Sequence, residues 1–66
     1  MTEDITPQTI ENGALGARVT VSTVLERAKV SRTAYYRWRR GEGNMLPLTK
    51  LRLQDAVNEL RAEAAV

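Results

Sequence analysis

Residues 27 to 40, RAKVSRTAYYRWRR, hold six of the ten basic residues of this 66-residue chain and no acid. Its three aromatic residues, Tyr35, Tyr36 and Trp38, lie in the same stretch. Guanidinium and ammonium groups neutralise phosphates, and an arginine can donate two bonds to the O6 and N7 acceptors of guanine. A concentrated basic patch is the electrostatic footprint of a polyanion binder. The plain alternative, a solvated charged face, does not account for the interleaved aromatics.

Helical phase sorts these residues. With Arg32 at zero and about 100° per residue, Tyr36, Arg40, Thr33 and Arg37 follow within roughly 140°. Tyr35, Trp38 and Ala34 fall roughly 200° to 300° round. One short helix thus has an apolar side to dock, with Tyr35 and Trp38 in the core, and a cationic, hydrogen-bonding side to present.

No other chemistry can be assembled. The chain has no His and no Cys, which removes the common general base, the thiol nucleophile, disulfides and the usual zinc ligands. The acids are scattered, and Gly41 and Gly43 lack the rest of any phosphate-binding loop. The chain reads as a non-enzyme with no cofactor and no metal site.

Net charge is only +2 with an isoelectric point near 9.5, so distribution matters more than total. Residues 1 to 17 carry Glu3, Asp4 and Glu11 and no base, whereas 27 to 40 sum to +6. No stretch reads as a membrane span or an export signal, which favours the cytoplasm. The length suits one domain spanning 1 to 66 with a thin core.

The elements that must position the basic stretch are all helical. Residues 1 to 5 are polar and expected to be flexible. Thr6-Pro7 is a start signal for a weak helix to about Ala17, with Ile10, Ala14 and Ala17 inward; Gly13 and Gly16 weaken it, and a flexible arm is the alternative. Thr20 or Ser22 caps a helix to Ala28, with Val21, Val24, Leu25 and Ala28 at helical spacing. Lys29-Val30 turns the chain. Ser31 caps a helix from Arg32 to about Arg40, and Gly41 stops it. After a loop over 41 to 47, Leu48 or Thr49 opens a last helix to about Ala62. Its apolar face is broad enough to pack on the domain and leave Leu53 or Leu60 for a partner. The fold class is all-α, a small domain of three to four helices.

A helix of about eight residues, a tight turn and a Ser-capped helix form the arrangement of a helix-turn-helix, here about 20 to 40. Residues 21 to 40, VSTVLERAKVSRTAYYRWRR, followed by Gly41, resemble the helix-turn-helix of Cro and phage-repressor-type regulators. VSRTAYYRWRRG is also similar to the DNA-binding segment of some insertion-sequence transposases. The resemblance covers about a third of the chain; Val24, Ala28, Val30, Tyr35 and Trp38 fall where that family buries residues. Two positions depart from it: Lys29 stands where the family favours a left-handed Gly, and Leu25 where it favours a small residue.

The resemblance implies that the second helix enters the major groove of double-stranded DNA with its early residues at base edges. Ser31, Arg32 and Thr33 then stand at the helix start, and Tyr36, Arg37 and Arg40 line the same face. Arg32 and Arg37 can read guanine or hold phosphate. Arg27 and Arg39 lie off the central face as phosphate contacts, which position without specifying. Lys29 in the turn and Lys50 at the start of the last helix complete the set. One short helix reads few base pairs, so the expectation is a repressor-like regulator, homodimeric on an inverted repeat. An excisionase-like or transposase-derived accessory and an antitoxin- or anti-sigma-like adaptor using the C-terminal helix are the alternatives.

Overall fold

The computed structural model describes residues 5 to 65. Four helices follow in order, α1 Pro7–Gly16, α2 Val21–Ala28, α3 Arg32–Arg39 and α4 Pro47–Ala64, and the fold is all-α. The expected looseness of residues 1 to 5 lies outside the described residues except at Ile5, which is half-buried against the core.

Helix starts follow local chemistry. Thr6, Thr20 and Ser31 each lend a side-chain oxygen to a backbone N–H three residues on, at 3.2, 3.2 and 3.0 Å; each bond satisfies one orphan donor of a first turn. Thr20, not Ser22, is therefore the cap of α2. The last helix opens at Pro47 rather than at Leu48 or Thr49, with Leu46 at the N-cap and no side-chain cap. Proline at the first helical position loses only an N–H that has no partner there, so Pro47 begins this helix instead of breaking it.

The ends of α1, α2 and α3 share one device. At α1 the Val19 N–H bonds the Ala14 carbonyl and the Arg18 N–H that of Leu15. At α2, Val30 bonds back to Leu25 and Lys29 to Glu26; at α3, Glu42 bonds back to Arg37 and Gly41 to Trp38. This 6→1, 5→2 pairing is the Schellman motif, which needs one left-handed residue. That residue is Arg18 (φ 60°), Lys29 (φ 58°) and Gly41 (φ 75°) in turn. Lys29 thus adopts the backbone that a glycine would take more cheaply.

The core consists of Ile10, Ala14 and Ala17 from the first helix, Val24, Leu25 and Ala28 from the second, Tyr35, Met45, and Leu53, Ala56, Val57 and Leu60 from the last. The helix over 7–16 therefore packs as a helix and not as an arm, with the stripe expected for it. Gly13 lets α1 approach α4 closely: a Cβ there would stand 2.4 Å from Val57 Cγ1. Leu53 and Leu60 are buried in this core, which corrects the expectation that they face a partner. The exposed leucines of this region are Leu46, Leu48 and Leu51. The backbone of α4 approaches α1 and α2, and that of α3 approaches α1 and α2, so that α3 meets α4 through side chains.

Candidate nucleic-acid interface

α2, a three-residue turn at 29 to 31 and α3 form the helix-turn-helix connectivity that positions the basic residues. Of α3 only Tyr35 is fully buried. Trp38 is half-buried, packed at the edge of the core, with its ring edge-on to that of Tyr35 at 5.9 Å and 72°. Ala34, expected on the docking side, is exposed. The docking direction centres on Tyr35, from which Ala34 is turned by about 100°, and α4 makes no backbone approach that would cover it.

Ser31, Arg32, Thr33, Tyr36, Arg37 and Arg40 are all exposed, and Lys29 stands exposed in the preceding turn. The structure thus brings these seven onto the solvent side of α3 and its turn. Lys50 is set apart: its Nζ lies 5.9 Å over the Trp38 ring, a cation–π contact that ties the start of α4 to α3.

The six positive charges of residues 27 to 40 are not equivalent. Arg27 reaches Glu63 at 2.7 Å and Glu59 at 3.5 Å on α4. Arg39 donates from Nε to Glu11 on α1 at 2.6 Å, and Arg40 pairs with Glu42 at 2.5 Å. Lys29, Arg32 and Arg37 have no acid within ion-pair distance among the described residues. Of the six, Lys29 in the turn and Arg32 and Arg37 on α3 are thus left without an acidic partner among the described residues. Arg27 and Arg39, expected at phosphates, are engaged with carboxylates of other helices.

Glu11 is the residue in contact with α3 that motif reading passed over. Besides the bond from Arg39, it accepts one from the Tyr35 hydroxyl at 3.0 Å, and that hydroxyl also reaches the Pro7 carbonyl at 3.4 Å. Burial pushes the Tyr35 phenol well above its ordinary range, and the bond to Glu11 adds to this. The hydroxyl thus stays a neutral donor at physiological pH. The same carboxylate raises Arg39. On the far side, the bond to Glu63 raises Arg27, and Glu63 is held below the usual carboxylate range by Arg27. One sequence signal existed for Glu11: its place one residue after inward Ile10, beside the docking side of α1.

Among the described residues, no three His, Cys, Asp or Glu side chains gather to hold a metal ion, and no helix is long and apolar enough to cross a membrane. The fold and surface define a small all-α domain with a basic helix–turn–helix face. No protein-family model, no curated protein and no solved structure matches the chain.

Proposed function

We propose that this domain is a small sequence-specific DNA-binding regulator whose helix α3 enters the major groove. One observation carries the reading: among the described residues Lys29, Arg32 and Arg37 have no acidic partner, Arg32 and Arg37 lie exposed on α3 with Thr33 and Tyr36 and Lys29 lies exposed in the turn before them, while the other side of the helix is anchored by Tyr35. An α-helix fits the major groove, where donor and acceptor patterns distinguish all four base pairs. Arg32 and Arg37 are the base-reading candidates; Thr33 and Tyr36 suit a thymine methyl, a sugar or a phosphate. Lys29 and the Ser31 end of the helix suit the backbone, which holds register. Arg40 joins them where a phosphate displaces Glu42.

One eight-residue helix reads too few base pairs to find a site alone. Two copies related by a two-fold axis would place their reading helices about 34 Å apart, one DNA turn. Selection from random duplexes tests both statements. An enriched inverted repeat with that spacing is the expected result; recovery of no sequence, with no binding at low salt, removes the reading. A repressor is separated from a recombination accessory by where the recovered site lies, over a promoter or repeated at the end of an element.

A second reading has an observation of its own. Leu46, Leu48 and Leu51 stay exposed at the start of α4, apolar surface of the kind that a partner's groove covers. A protein-binding adaptor would lose its partner on Leu48→Lys and would show no salt-dependent affinity for duplexes.

A further inference from the structure

The buried Tyr35 ring and the edge-on Trp38 seat α3 on the core, and the apolar part of that attachment is non-directional. Hydrogen bonds are directional, and two of them converge on one oxygen of α1: Glu11 Oε2 accepts from the Tyr35 hydroxyl at 3.0 Å and from Arg39 Nε at 2.6 Å. Tyr35 and Arg39 are four residues apart, about one helical turn. Their two donors therefore hold α3 at two heights against a single carboxylate. Charge-assisted bonds of this kind are shorter and stronger than neutral ones. The geometry is sensitive: a roll of about 20° carries a guanidinium roughly 8 Å from the helix axis through about 3 Å, more than a hydrogen bond tolerates.

We infer that Glu11 is a positioning residue for the exposed face of α3, setting through Tyr35 and Arg39 the azimuth at which Arg32, Thr33 and Arg37 meet DNA, and holding Arg39 back from phosphates. The inference rests on the DNA-binding reading above. It assigns α1 a part in specificity although that helix offers no basic residue. Glu11 discriminates by fixing the angle of presentation, while Arg39 is a reserve cation whose release would strengthen binding to any sequence.

The test compares the full chain with Glu11→Gln, which keeps size and an acceptor but removes the charge, and with Tyr35→Phe, which keeps the ring but removes the donor. Two measurements are made on each: amide hydrogen exchange along the chain, and affinity for the selected and for a scrambled duplex over a salt series. In both variants, exchange in α3 is expected to accelerate about tenfold more than in α2 and α4, and the preference for the selected duplex to fall about tenfold, the scale of one charged hydrogen bond. In Glu11→Gln the salt dependence should also steepen by about 0.9, one added phosphate contact from Arg39. Equal losses on both duplexes with an unchanged salt dependence would reduce Glu11 to a structural residue and overturn the inference. A chain that binds no duplex at all removes the DNA reading, and with it the specificity role; α3 exchange would still accelerate, so the two failures are distinguishable.

Discussion

The body formed by α1, α2 and α4 and the appended α3 are held by different means. In the body, small and branched apolar side chains interdigitate, down to the close approach of Gly13 and Val57. Arg27 closes its edge on Glu59 and Glu63. Helix α3 adds one buried ring, a half-buried indole and a polar latch to Glu11. A helix docked along so narrow a line leaves most of its circumference exposed. The comparison also divides the run of like charge by whether, among the described residues, the fold brings an acid to each cation. Lys29, Arg32 and Arg37 meet none; Arg27 and Arg39, facing the body, are paired.

The comparison breaks most readily at Tyr35. Tyr35→Ala should cost about 3–5 kcal/mol, as for other large aromatic truncations in a core, and urea denaturation should show a domain close to unfolding. Retention of wild-type stability would mean that α3 is not docked through this ring. Trp38→Ala, at a half-buried site, should cost less, about 1–2 kcal/mol.

Two glycines on one helix sharpen the account of the body. Gly13→Ala drives a methyl into Val57 and should destabilise by about 1–3 kcal/mol. Gly16→Ala meets only Arg61 Nε at an ordinary 3.7 Å and should stabilise by up to about 1 kcal/mol through helix propensity. Thermal melts of the pair should therefore move in opposite directions.

The latch predicts an alkaline limb. The Tyr35 phenol is raised above its ordinary value of 10.0, so the neutral form is favoured by folding. Its stabilisation is fully present below pH 10 and is lost as pH rises beyond it, by about 1.4 kcal/mol per pH unit. Denaturation midpoints at pH 9 to 11 should fall in the wild type and fall less in Tyr35→Phe.

Lys29→Gly relieves a left-handed lysine and should stabilise by up to about 1 kcal/mol while weakening duplex binding. A variant that gained stability and bound DNA unchanged would take Lys29 out of the interface. The smallest effect belongs to Glu63. Its lowered value means that the Arg27–Glu63 contribution is present above the carboxylate range and lost as pH falls through it. Both groups are exposed, so Glu63→Gln should leave the melting temperature nearly unchanged, as is usual for surface ion pairs.

Local chemistry made most of the fold legible. Thr6-Pro7, Thr20, Ser31 and Gly41 are start and stop signals that act within a few residues, and the helices begin and end where they fall. Pro47 misled because the same residue can close a loop or open a helix, and only the packing of α4 decides which. Leu53 and Leu60 were misassigned for a related reason: an apolar face broader than one stripe does not say which part is covered. The exposure of Arg32, Thr33, Tyr36, Arg37 and Arg40 followed from helical phase, although the same phase put exposed Ala34 on the docking side. The ion pairs did not, because Arg27–Glu63 and Arg39–Glu11 join residues 36 and 28 positions apart, beyond the reach of any periodicity.

In the proposed DNA-binding reading, Lys29 in the turn and Arg32 and Arg37 on α3 meet the duplex, while Arg27 and Arg39 are held by carboxylates of α4 and α1. Salt dependence of duplex binding, measured with single neutralisations, tests it most directly. Replacing Lys29, Arg32 or Arg37 by Gln should each flatten the slope of log affinity against log salt by about 0.9, and Arg27→Gln should leave it unchanged. Absence of binding at low salt, or an equal flattening by Arg27→Gln, would contradict the claim.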